Sequence, residues 1–244
     1  MHLSHIRRGF TIIELLVTIA IIGVILAILL PALGGSVQLT RRTVSLSNLR
    51  TIGQFVQHYV EANDEAYPWA MRGTNTCGVP IQFSPIWQMS MQWPITMHDI
   101  VKPEELREIQ LSPGVRRDGT GNIDTCGAPP SYTYSMSFLA DPRLWGGDSV
   151  ADESMLRAVT MSKVAYPTNK VLMWDWELPF LNHELQRSGP DLDESTPMLF
   201  ADGHGADRRP SEATEPVANP FGEDAILPLA RLHNTRDGVQ GRDY

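Results

Sequence analysis

Glu14 is the lone carboxylate in an otherwise uncharged run that continues from Leu15 to Leu33, and it follows Gly9-Phe10-Thr11-Ile12-Ile13. A charged side chain at the head of an apolar helix needs a partner of opposite sign. The chain supplies a candidate four residues upstream. A cut after Gly9 would free an α-amino group on Phe10, whose ordinary pKa of about 7.7–8.0 leaves it cationic at neutral pH. Residues i and i+4 share one helix face, so amine and carboxylate are placed to pair within one chain or between neighbours.

A second set of chemistry-bearing residues lies far downstream: Asp175, Glu177, His183, Asp202, His204 and Asp207. These are the types that general acid/base work or a metal site draws on, and two strand ends are placed to gather several of them. Against that reading, the chain has no Gly-x-Ser-x-Gly, His-Glu-x-x-His or phosphate-cradling glycine loop. A histidine beside Asp-Gly is first of all a surface turn residue. No catalytic residue is therefore assigned, and the chain is not expected to be an enzyme. Asp191-Leu192-Asp193-Glu194, with Asp202 or Asp207, offers the carboxylate oxygens that calcium takes, but the EF-hand spacing is missing and an acidic surface loop explains it first. No cofactor and no metal are expected. Cys77 and Cys126, each in a Thr-Cys-Gly context, are compatible with one disulfide and too few for zinc.

The formal net charge is −8, and compact basic pairs are confined to Arg7-Arg8, Arg41-Arg42, Arg116-Arg117 and Arg208-Arg209. That is no footprint for a phosphate backbone, so nucleic acid is not expected as a partner. The tryptophans, among them Trp69, Trp93, Trp145 and Trp174, read as core or core-capping residues rather than a sugar platform.

The elements that must position these groups follow from composition. Residues 10–33 as a helix would be about 36 Å long, enough for a hydrocarbon core of about 30 Å. A cleaved secretory signal would have a shorter apolar region with no acid inside it. Leu46, Leu49, Ile52, Phe55 or Val56, and Tyr59 or Val60 then recur at three- and four-residue steps, which predicts an amphipathic continuation over residues 34–66, lying on a sheet. Asn63-Asp64 and Pro68 supply the stop. Of the 18 prolines only Pro31 precedes Pro68, so a loop-rich head over 67–210 is set off from the helix. Within it Lys170–Asp175, Pro197–His204 and Ser131–Met136 read as strands, and Met155–Val164 as a short helix or turn. Residues 211–244 read as a mostly irregular tail with one docked segment over 225–232.

The basic leader ending in Gly9, followed by Phe10, Thr11, an aliphatic pair, Glu14 and a long aliphatic helix, resembles the N-terminus of a type IV prepilin or type II secretion pseudopilin. The resemblance implies an α+β pilin-like fold, with a long N-terminal helix on a small antiparallel sheet. It also implies a leader over residues 1–9, cut after Gly9 by a prepilin peptidase, N-methylation of Phe10, and docking of Glu14 against a neighbouring subunit's N-terminus in a filament. Its partners would be that peptidase, other pilin or pseudopilin subunits and inner-membrane lipid. The N-terminus would be cytoplasmic and the head extracytoplasmic. Charge alone leaves this orientation open, because Arg7-Arg8 and Arg41-Arg42 flank the span on both sides.

Ser47-Asn48-Leu49-Arg50-Thr51-Ile52-Gly53, with Tyr59, Asn63 and Tyr67-Pro68, is similar to the helix exit of large planctomycete-type pseudopilin-like proteins, whose heads carry a processing-associated His-x9-Asp-Gly motif. Ser162-Lys163-Val164, Pro167, Asp175 and Phe200-Ala201-Asp202-Gly203-His204 match its late elements. His183 stands further from Asp202 and Gly203 than that motif requires. The alternative to a filament subunit is a single-span anchored envelope enzyme or binding protein, which would leave Glu14 without a role.

Overall fold

The computed structural model describes residues 11–69, 85–115, 130–177, 194–222 and 230–244. The chain divides into two compact units, one ending at Thr40 and the other running from Arg41 to Tyr244. One helix, α1 (Ile12–Ala62), contributes to both and runs without interruption through Pro31. In the first unit its described aliphatic side chains, from Ile12 to Leu39, are exposed.

In the second unit the helix turns amphipathic. Ser45, Leu49, Ile52, Val56 and Val60 are buried at three- and four-residue steps, while Arg50, Gln54, Gln57 and Glu61 stay exposed. From Leu49 onward the stripe is the predicted one; at its head Ser45 is buried and Leu46 only half-buried. Helix α1 ends where Asp64 and Glu65 adopt left-handed backbone, at φ of 50° and 61°. The Glu65 amide then bonds back to the Val60 carbonyl at 3.0 Å.

The buried stripe packs on a four-stranded antiparallel sheet of order β1-β2-β3-β4, formed by β1 (Tyr132–Tyr134), β2 (Val171–Asp175), β3 (Thr196–Phe200) and β4 (Gly205–Arg208). The architecture is α+β, consistent with a pilin-like fold. Strands β1, β2 and β3 fall where the sequence predicts them, although β1 is short because Met136–Phe138 turns into a 3-10 helix. Strand β4 was not foreseen. It follows β3 through a turn that needs Gly203, whose φ is +87°.

Every residue of β1, β2 and β3 is buried, so these three strands are covered on both faces, while β4 is partly exposed. Leu172, Met173 and Leu199 join the core under α1, while Val171, Trp174, Met198 and Phe200 form a second cluster with Ala213 and Leu232. Leu172 and Met173 share a face because the β2–β3 register slips between Val171 and Met173, which breaks the usual alternation.

Three features of the head go beyond what periodicity shows, each with a local cause. Residues 68–130, whose Pro, Gly and Met leave no clear periodicity in the sequence, contain α2 (Pro85–Met91), α3 (Trp93–Thr96) and α4 (Pro103–Ile109). Pro85, Pro94 and Pro103 fall in the first turns of these helices, where the missing N–H costs nothing. Met155–Val164 resolves into two 3-10 turns, Glu153–Met155 and Met161–Lys163, with extended backbone between them. The described part of 211–244 is mostly irregular, and α5 (Ala230–His233) is brief. Its side chains are nonetheless central: Leu232, His233, Asn234, Thr235, Val239 and Asp243 are all buried.

Candidate functional site

The head of α1 is built by two side chains. The Thr11 hydroxyl accepts a hydrogen bond from the Glu14 amide at 3.2 Å. In return, Glu14 Oε2 accepts the Thr11 amide at 2.9 Å and the Thr11 hydroxyl at 2.7 Å. This is a capping box: the residue before the helix and the third residue within it satisfy each other's otherwise orphaned donors. A carboxylate in the first turn also sits at the positive end of the helix dipole. Both contacts of the carboxylate use Oε2, and among the described residues Oε1 takes no hydrogen bond. Glu14 is exposed, as are the aliphatic residues that follow it.

Thr11 is the functional residue that sequence reasoning passed over. Its signal was present, since Thr11-Ile12-Ile13-Glu14 has the spacing of a capping box ahead of an apolar run. Gly9 and Phe10 lie outside the described residues, as do Cys77, Cys126, His183 and Asp191 to Asp193.

The downstream acids do not converge. Asp175 closes β2, and the antiparallel register pairs the opposite end of that strand, Val171, with Phe200 at the end of β3. Asp202, two residues past Phe200, is therefore at the other end of the strand pair from Asp175. The expectation that two strand ends gather these residues fails for this pair, because antiparallel neighbours run their C-terminal ends apart.

Each acid has local work instead. The Asp175 carboxylate is buried and accepts the Ser45 hydroxyl of α1 at 2.6 Å and the Ser112 hydroxyl at 2.5 Å. Glu177 accepts the Ser131 hydroxyl at 2.6 Å. Asp202 Oδ1 holds the His204 amide at 3.0 Å and its Nδ1 at 2.6 Å, and the imidazole stacks on Phe200 with ring centres 4.3 Å apart. Partial burial raises the Asp207 pKa, against the lowering pull of Arg42 and Arg50. Among the described residues no three His, Cys, Asp or Glu side chains gather as metal ligands do.

Residues 5–30 match the family model of the prokaryotic N-terminal methylation motif. The match takes in the basic Arg7-Arg8 pair, Gly9, Phe10, the capping box and most of the apolar run. Among the described residues α1 is also the one helix long and apolar enough to cross a membrane. Together they support a prepilin- or pseudopilin-type chain, a prepilin-peptidase substrate anchored by a single span, and a structural subunit rather than an enzyme. No curated protein and no solved structure matches the chain.

Proposed function

We propose that the chain is a prepilin-like subunit, cut after Gly9 and N-methylated on Phe10 by prepilin peptidase, that assembles through α1 into a type IV pilus-like or type II secretion pseudopilus filament. The observation that carries this is the methylation-motif match over residues 5–30, with Glu14 at the third position of α1. Before assembly the apolar part of α1 is held in inner-membrane lipid, with the leader cytoplasmic and the head extracytoplasmic. In the filament the same exposed aliphatic surface packs against sister helices.

Glu14 sets the register of that packing. Its Oε2 is occupied by Thr11, which fixes the carboxylate's direction, and Oε1 is the acceptor offered to the Phe10 ammonium of a neighbouring subunit. Ionic groups in an apolar assembly serve specificity better than raw stability, and registry is their best-attested use. In this reading the Asp202-Gly203-His204 turn is the late part of a processing-associated motif with His183 upstream, and Cys77 and Cys126 form a bridge in the head.

Mass spectrometry of the N-terminal peptide from membrane-purified protein tests the reading. A methylated Phe10 start is expected, and a mature chain beginning at Met1 refutes it. Glu14→Ala should insert and be processed normally yet be lost from sheared filaments. Normal incorporation of that variant would remove the register role while leaving the processing intact.

A further inference from the structure

Lys170, immediately before β2, is fully buried, as are Asp243 and Thr235. Its Nζ lies 3.1 Å from Asp243 Oδ1 and 3.2 Å from Ser137 Oγ, and it donates to Thr235 Oγ1. The Thr235 hydroxyl in turn donates to Asp243 Oδ1. Asp243 Oδ2 accepts the Val171 amide at 2.7 Å. The backbone fixes Asp243 in this position: its amide bonds to the Asn169 carbonyl at 3.0 Å, and its carbonyl accepts the Thr214 amide at 2.8 Å. None of these groups has a part in the reading of α1.

An amine and a carboxyl sealed together are costly as ions and cheaper as neutral groups. Burial accordingly lowers the Lys170 pKa, against the opposing pull of Asp243. The same burial, with the Lys170 charge beside it, pushes the neighbouring His233 imidazole down to about 3. Transfer of one proton from the ammonium to the carboxylate gives the amine and carboxylic acid that condense, and the surroundings supply both a proton path, the Thr235 hydroxyl, and a donor, the Val171 N–H, for the developing negative charge.

We propose that Lys170 and Asp243 form a covalent cross-link, an amide between Nζ and Cγ made within the folded head with release of one water. The ammonium first gives a proton to Oδ1, leaving both groups uncharged. The Nζ lone pair attacks Cγ, and the carbonyl electrons move onto Oδ2, where the Val171 N–H stabilises the negative charge. A second proton passes from the nitrogen through the Thr235 hydroxyl to Oδ1. As the carbonyl to Oδ2 re-forms, the Cγ–Oδ1 bond breaks and Oδ1 departs as water. Nothing is oxidised or reduced. The product keeps the Val171 hydrogen bond, leaves one N–H for Ser137 Oγ, and replaces two buried charges with a neutral amide. The link would fasten the 230–244 segment to the start of β2, so that the head resists being pulled open.

Full-length protein, purified in detergent and shown by near-ultraviolet circular dichroism to be folded, is digested and its peptides sequenced by tandem mass spectrometry. The expected result is a branched peptide joining Lys170 to Asp243, lighter by one water than its two arms. Lys170→Arg should give linear peptides alone. Thr235→Val, checked for folding in the same way, should form the link about a hundredfold more slowly. Recovery of Lys170 and Asp243 only in linear peptides from folded wild-type protein overturns the proposal, and an undiminished rate in Thr235→Val overturns the relay.

Discussion

Two side chains far apart show how single residues carry consequences in this molecule. Thr11 begins α1 by bonding to the Glu14 amide and is held in return by the Glu14 carboxylate. Loss of such a cap costs about 1 kcal/mol, so Thr11→Val should speed hydrogen exchange of the first-turn amides about fivefold, while Thr11→Ser restores protection. An unchanged exchange rate would mean that the box is not populated in solution. His233 is the opposite case, a fully buried imidazole. The Met136 amide donates to its Nδ1 at 3.4 Å, which assigns the proton to Nε2, and its ring meets the Trp174 indole edge-on at 4.5 Å. Burial holds its pKa near 3, against an ordinary 6.5. The unfolded chain therefore binds a proton that the folded head refuses. This contribution is fully present above pH 6.5 and is lost as pH falls from 6.5 toward 3, at about 1.4 kcal/mol per pH unit. Urea titrations between pH 7 and 5 should show that slope, and a folded His233→Gln variant should flatten it.

At the scale of elements, α1 is two helices in one sequence. The first is apolar all round and, among the described residues, buries no face. The second is striped and buried along Leu49, Ile52, Val56 and Val60. The stripe was legible because helical periodicity survives in one dimension. What periodicity did not show is how near the helix comes to the sheet. A Cβ on Gly53 would lie 2.8 Å from Leu199 Cδ1, and Leu199 is itself fully buried. Gly53→Val should therefore cost about 1–3 kcal/mol through overpacking, read as a lowered midpoint in thermal unfolding. An unchanged midpoint would show that the helix can lift without penalty. The prolines of α2, α3 and α4 teach the converse: residues that discourage a helix in its interior mark its first turn, and sequence alone did not say which role each one played.

Across the whole molecule, the sheet is sandwiched between α1 and a segment that the sequence presented as a tail. Leu232 is fully buried against Val171, Trp174, Met198 and Phe200, so Leu232→Ala should destabilise the head by about 2–5 kcal/mol, measured by chemical denaturation. A loss well under 1 kcal/mol would mean that the segment only decorates the sheet. The sequence by itself determined what depends on neighbours in the chain: the capping box and span of α1, its buried stripe, three of the four strands and the turn at Asp202-Gly203. Tertiary structure alone decided which acids meet, because the antiparallel register sets Asp175 and Asp202 at opposite ends of a strand pair. It also decided that polar residues scattered from Ser137 to Asp243 meet in one buried hydrogen-bonded cluster. Local patterns are written within a few turns of backbone. Contacts between residues a hundred positions apart arise only when several elements pack at once, and no periodicity records them.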